Sequence, residues 1–316
     1  MIARRSVWTD KQVVALAKDF ACCADEVWRL QNVQDPDCVF FRQWCDEGGQ
    51  LNGDGEQTTR QGTYCCTPSG KFLGSCNSRD PMVMATMLRS ALAKWKAMDK
   101  KARLLDYDPE TKVKDINRSE SKYPKDGMAL KVHSRDLNRE GLNPSDWRTH
   151  ALNLDFCWFT KDEMLRLIPK ESFTKDTAWE LPADLVRRSL RLSVKDNVRG
   201  QTAAYADNQI EKAAIKCKVD KIKKGVVYFA MEGEVKLTAE GRSIEGKLRG
   251  KGAWNVGKSR FDEFEWVIAG ARTGRTQYNA REDDTGRAGI GFVFTLTGDK
   301  AVDRIAPAEF GSYGWR

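Results

Sequence analysis

Histidine is almost missing from this chain. Only His133 and His150 occur among 316 residues. Neither falls in a metal-ligand spacing, so a structural or surface role is expected for each. No Gly-x-Ser-x-Gly elbow, Walker loop or dinucleotide fingerprint occurs. That removes the commonest hydrolase, nucleotide and nicotinamide signatures. Gly289-Ile290-Gly291 leads into a strand pattern rather than a helix and is discounted. No apolar run reaches the roughly 20 residues that cross a bilayer as a helix. Arg4 and Arg5 are followed by Trp8-Thr9-Asp10-Lys11 rather than an apolar stretch, so no export signal is legible there. A leader removed ahead of residue 1 would leave the same pattern.

Charge of one sign is also scarce. Lysine and arginine number 53 against 45 acidic residues, a net +8. Residues 1–96 hold 12 basic and 11 acidic side chains, so the excess is spread through the rest. Only Lys216–Lys224 is a local cluster, which reads as a solvated strand face. A nucleic-acid binder would carry a denser stripe. The expected partners are therefore a protein or a small molecule, with oligomeric state open.

What the chain has is cysteine. Seven of nine lie in the first 76 residues, and four form the adjacent pairs Cys22-Cys23 and Cys65-Cys66. Nine is odd, so a fully paired disulfide framework leaves one over. A core of this length needs no staples. Inert buried thiols are one reading, and reactive or metal-binding sulfur is the other.

The order of elements divides the chain. Thr9 is expected to cap a helix with Val13, Leu16, Ala17 and Phe20 on one face. Phe20–Val27 reads as extended. Asp35-Pro36 opens a second helix that places Cys38, Phe41 and Cys45 on one side and ends at Gly48-Gly49, where a loop begins. Gly62–Thr67 and Lys71–Cys76 form a hairpin about Thr67-Pro68-Ser69-Gly70, where a two-residue Pro68-Ser69 loop would set Cys66 against Lys71 and Cys65 against Phe72. Asp80-Pro81 opens a third helix with the stripe Met84, Leu88, Ala91, Trp95 and Met98. Residues 99–126, charged and broken by Pro109 and Pro124, read as a linker.

Beyond it, Leu152–Phe159 reads as a strand. Thr160 and Glu163 form a capping box, and a helix covers Ala183–Leu192. A β-meander follows, with strands expected at Ala213–Ile222, Val226–Leu237, Ser243–Asn255, Arg260–Thr273 and Ile290–Thr297. Cys157 and Cys217 are expected in the core.

The segments "TDKQVVALAKDFACCADEV", "TTRQGTYCCTPSGKFLGSCN" and "DPMVMATMLRSALAKW" resemble the helix and strand, the terminal hairpin and the last helix of divergent thioredoxin-like domains. The match covers about residues 8–98. Together with the β-rich remainder, the chain resembles uncharacterised bacterial two-domain proteins. Within that likeness stand "TRQGTYC", "DNVRGQT" and "TQYNAREDD". It implies a thioredoxin-like α/β domain at 1–98 and an exported bacterial origin. Two departures accompany it. No Cys-x-x-Cys is present, and Gln61-Gly62 stands where the family places a cis-proline before its hairpin.

The expected architecture is thus that domain, the linker, and at 127–316 an α+β domain with a mainly antiparallel sheet or a partly open barrel. The first functional reading is atypical thiol redox or soft-metal capture by Cys22, Cys23, Cys65 and Cys66. No cofactor is required, and a soft metal such as Cu(I) is the candidate ion. The second is a non-catalytic binding protein whose β domain presents two polar loops. One holds Arg199 and Gln201, able to grip an anion or carbonyl. The other holds Tyr278, Asn279, Arg281, Glu282, Asp283 and Asp284, with carboxylates that can take a hard cation or share a proton.

Overall fold

The computed structural model describes residues 7–48, 60–103, 119–141, 143, 146–149 and 151–315, except 9, 26, 79 and 299. The predicted Thr9 cap, His150 and most of the expected loop after Gly48 lie outside these residues. The chain divides into two compact units, Met1–Ile116 and Asn117–Arg316.

The first unit holds helices α1 (Lys11–Ala17), α2 (Val27–Asn32), α3 (Pro36–Glu47), α4 (Pro81–Ala97) and α5 (Lys100–Arg103), with a hairpin of β1 (Thr63–Cys66) and β2 (Phe72–Cys76). Its helix starts follow the caps. The Asp10 carboxylate accepts from the amides of Gln12 and Val13. Asp35 accepts from Cys38 N at 2.9 Å and Asp80 from Met82 N at 2.8 Å, each just ahead of a proline at the first turn. The predicted stripe of α4 is the one buried. Met84, Ala85, Leu88 and Ala91 pack with Val7, Val13, Cys65, Leu73 and Cys76. Helix α3 lies on the hairpin, where Phe41 meets Tyr64 edge to face and the Trp44 indole donates to Gly70 O at 2.8 Å.

Two expectations fail here. Residues 21–25 are coil, not a strand. The hairpin is therefore the only sheet among the described residues of this unit, and no parallel strand pair is seen among them. The hairpin register also differs. Gly70 sits at φ +82° and closes a three-residue loop, with Gly70 N donating to Thr67 O. Cys66 then opposes Phe72, a bulge follows, and Cys65 opposes Gly74. The bulge breaks strict alternation, so Cys65 is buried and Cys66 half-buried.

The second unit is one large antiparallel sheet with few helices. Its strands are β3 (Met128–Asp136), β4 (Leu152–Phe159), β5 (Ala178–Glu180), β6 (Ile210–Lys212), β7 (Ile215–Lys223), β8 (Val226–Ala239), β9 (Arg242–Asn255), β10 (Arg260–Gly274) and β11 (Ala288–Leu296). They run β4-β3-β11-β10-β9-β8-β7-β5, with β6 on β8. The two ends of this path do not pair, so the sheet is mainly antiparallel and not a closed barrel. The meander strands stand close to their expected bounds, whereas β3, β5 and β6 are additional.

The inner face carries the core. One register row crosses eight strands as Asp155, Val132, Phe294, Trp266, Gly250, Met231, Cys217 and Trp179. A Cβ on Gly250 would stand 2.8 Å from the Trp266 ring and 3.1 Å from Met231 Cε. Glycine there lets the indole reach across and donate to the Met231 sulfur at 3.0 Å. Helix α7 (Ala183–Ser193) lays Leu185, Val186 and Leu190 onto this face. Helix α6 (Lys161–Arg166) opens on the predicted Thr160/Glu163 capping box.

On the outer face near β4, the C-terminal segment packs Phe310, Tyr313 and Trp315 on Trp158 and Phe156. It also guards the free edge. The Tyr313 hydroxyl accepts from Trp158 N, Arg188 donates to Trp158 O, and the Asp155 carboxylate accepts from Phe156 N and Ala308 N. Edge amides and carbonyls so engaged are closed to another strand.

Candidate functional site

The inner face turns polar at one end of the sheet. Successive inward positions of β3 are Val132, Ser134 and Asp136, and those of β10 are Trp266, Ile268, Gly270 and Arg272. Both predicted polar loops fold over this end. Helix α7 runs directly into residues 194–200, all of them buried. Buried loops are rare because their polar groups need partners. Here the second loop supplies them. Gln201 and Tyr278 form an isolated bridge, with Gln201 N donating to Tyr278 O at 2.7 Å. A Cβ on Gly200 would lie 2.0 Å from that carbonyl, so only glycine permits the approach.

Arg281 is the centre. It is fully buried, and all five of its N–H groups have a carboxylate acceptor. Nε and Nη2 bind the two Asp196 oxygens at 2.8 Å each. Nη1 and Nη2 bind the two Asp136 oxygens at 2.8 and 2.7 Å, and Nη1 also reaches Asp284 at 3.2 Å. Arg199 bridges Asp136 at 3.3 Å, Asp284 at 2.9 Å and Asp283 at 3.4 Å. Arg272 pairs with Asp284 and donates to Gly286 O at 3.0 Å. At the rim, Arg139 meets Asp284 at 2.7 Å and Arg148 pairs with Asp283.

Burial and the neighbouring Arg281 charge lower the pKa of Arg199. Burial opposes ionisation of Asp284, yet Arg139, Arg272 and Arg199 hold its pKa below the ordinary carboxylate value. Arg281 moves the other way, raised by Asp136 and Asp196 against its own burial.

The predicted residues Arg199, Gln201, Tyr278, Asn279, Arg281, Asp283 and Asp284 thus come together, but in two roles. Arg199, Asn279, Arg281 and Asp284 are committed to one another and to Asp136, Asp196 and Arg272. Three buried guanidinium groups, Arg199, Arg272 and Arg281, face the buried Asp136 and Asp196 and the half-buried Asp284. Gln201, Tyr278 and Asp283 form the exposed rim, with Tyr278 67% exposed. Asp136, Asp196 and Arg272 were missed by sequence reading. The one available signal was an arginine and an aspartate at inward positions of otherwise apolar strands.

The loop also holds strain. Ala280 stands at φ +49° between two anchored neighbours, Asn279 and Arg281. Asn279 donates to Asp196 at 3.4 Å and accepts from Thr276 N at 3.0 Å. Anchors on both sides hold a conformation that alanine disfavours.

The sulfur of the first unit forms a separate cluster. Cys22 and Cys23 are exposed, Cys65 and Cys76 buried, and Cys66 half-buried, all as free thiols. Burial pushes the Cys65 thiol up to about 11, and Cys66, Cys22 and Cys76 add to the effect. Cys66 is raised by burial and by Cys23. Cys22 thus acts electrostatically on Cys65, and Cys23 on Cys66. Cys65 Sγ lies 3.6 Å from Met87 Sδ. Among the described residues no three His, Cys, Asp or Glu side chains are placed to hold a metal ion, so a preformed four-thiolate centre is not there.

Cys38 and Cys45 are buried on α3 with Phe41. Cys157 and Cys217 are sealed in the second unit, where burial lifts Cys217 to about 12. Cys217 faces away from Lys216 and Lys218, as alternation requires.

Compared with protein-family models, curated proteins and solved structures, the chain shows no match. Among the described residues no helix is long and apolar enough to cross a membrane.

Proposed function

We propose that the chain is a thiol protein, whose exposed Cys22 and Cys23 exchange with external disulfides while the hairpin cysteines complete the reaction. The observation that carries this reading is that Cys22 and Cys23 are free thiols in solvent, electrostatically coupled to the free Cys65 and Cys66 of the hairpin. Attack needs access and thiolate. Only Cys22 and Cys23 have the access.

The reaction closes on itself. Cys23 loses its proton, its sulfur bonds to one sulfur of an external disulfide, and the other sulfur leaves as a thiolate that takes up a proton. Cys66 then loses its proton and attacks Cys23, which forms an internal disulfide and releases the second external thiol. Two electrons pass from the protein to the external disulfide. The high-pKa thiols of the hairpin are poor leaving groups, which favours the oxidised protein as product. The absence of Cys-x-x-Cys is consistent with this route, since the partners come from different segments.

The thioredoxin-like likeness draws support from the order α1, α3, hairpin, α4. The missing strand at residues 21–25 counts against it.

The test is a time course of native, reduced full chain with a small disulfide, read by intact mass and peptide mapping. Mixed disulfides at Cys22 and Cys23 should come first, followed by an internal Cys23–Cys66 link. The reading is overturned if no cysteine reacts until the protein is unfolded.

A second reading rests on Tyr278, which stands exposed on a loop locked from beneath. A rigid aromatic tip suits binding of a partner without chemistry. That reading stands if the thiols prove inert and Tyr278→Ala abolishes capture of a partner by the full chain.

A further inference from the structure

We infer that the sulfur pair of the first unit binds a monovalent soft cation, Cu(I) or Ag(I), through Cys65 and Met87. The inference rests on the same sulfur neighbourhood as the exchange reading but not on exchange occurring.

The donor chemistry is one-sided. Cys65 Sγ and Met87 Sδ stand 3.6 Å apart beside the buried Met84, Leu73 and Leu88. The buried residues packed with Cys65 are apolar, Val13 and Ala91 among them. Thiolate and thioether sulfur select soft cations, whereas hard cations want oxygen. Zinc takes four ligands in a closed structural site, and no three His, Cys, Asp or Glu are placed for it among the described residues. A thioether adds a donor that such a set does not count.

Charge balance makes the same choice. Binding releases one proton from Cys65 and forms one metal–thiolate bond, so M⁺ and S⁻ leave a neutral unit. A divalent ion on one thiolate would leave a net positive charge in apolar surroundings, which is costly. The thioether adds a ligand without adding charge.

The experiment is an anaerobic titration of the reduced full chain with Cu(I), competed by a chromophoric Cu(I) chelator, with Zn²⁺ run in parallel. One equivalent of Cu(I) should be retained. Met87→Leu, close in volume and lacking sulfur, should weaken retention by about tenfold or more, equal to about 1.4 kcal/mol. Met82→Leu, at a side chain 74% exposed on the same helix, should leave it unchanged. X-ray absorption of the loaded protein should show sulfur neighbours only. The inference is overturned if the chelator strips all Cu(I), if Zn²⁺ binds as tightly, or if Met87→Leu retains Cu(I) like the parent. No disulfide is present in this assay. Failure of Cu(I) binding therefore leaves exchange standing, and failure of exchange leaves Cu(I) binding to be read by itself.

Discussion

Replacing Arg281 by methionine should unlock both loops of the second unit. Arg281 satisfies Asp136 and Asp196 in bidentate fashion and touches Asp284. Asp136 and Asp196 are 7% and 6% exposed, so neither can turn to water. Removing one partner of a buried ion pair costs about 3–5 kcal/mol, because the stranded charge keeps its desolvation penalty. For a unit of this size each kcal/mol moves Tm by roughly 2–4 °C, so a fall of about 10 °C is expected. Arg281→Lys should fall between parent and methionine variant, since three ammonium donors cannot replace five in a planar fork. Adding Asp196→Asn to Arg281→Met should recover part of the loss by removing one stranded charge. Calorimetry of the four proteins reads all of this. A methionine variant melting within about 2 °C of the parent would refute the argument that this guanidinium holds the loops.

Other outcomes follow from single contacts. Asp155 has a pKa raised by burial against the hydrogen bonds from Ala308 and Phe156. Its contribution to stability is therefore full below the ordinary carboxylate pKa and declines as pH rises through its folded value. Asp155→Asn keeps the single oxygen that accepts both amides, so it should match or exceed the parent at neutral pH, whereas Asp155→Ala should lose about 2 kcal/mol in urea unfolding. Asp284 has the opposite sign. Its depressed pKa gives stability that is present above the ordinary value and lost as pH falls through the folded one. Asp284→Asn should accordingly flatten the acid limb of the stability–pH profile. Gly200→Ala should break the Gln201–Tyr278 bridge, since its Cβ would meet a backbone carbonyl at 2.0 Å, and should expose residues 195–202 to protease. Ala280→Gly should leave Tm unchanged or raise it, because glycine adopts φ +49° without strain.

Legibility differed sharply between features. The helix starts at Asp35-Pro36, Asp80-Pro81 and Thr160 were readable because a cap and its amides are three residues apart or fewer. The strands β7–β11 were readable because alternation of side chains is local. Strand β3 was overlooked, although Ala129, Leu130 and Val132 are as buried as any meander position. Residues 21–25, read as extended, find no strand to pair with among the described residues. The hairpin register was misread because Gly70 takes a left-handed conformation and a bulge then separates Cys65 from Cys66.

The amino-acid order determined by itself where the helices at Pro36, Pro81 and Lys161 begin, which faces of the meander are apolar, and that Arg199 and Arg281 lie in polar loops. Those properties depend on neighbours within a few residues. Tertiary structure alone decided that β3 stands between β4 and β11, and that Asp136, Asp196 and Arg272 meet the two loops. It alone decided that Cys65 faces Met87. Each of these joins segments tens of residues apart, and periodicity reports which way a side chain points but never what it meets.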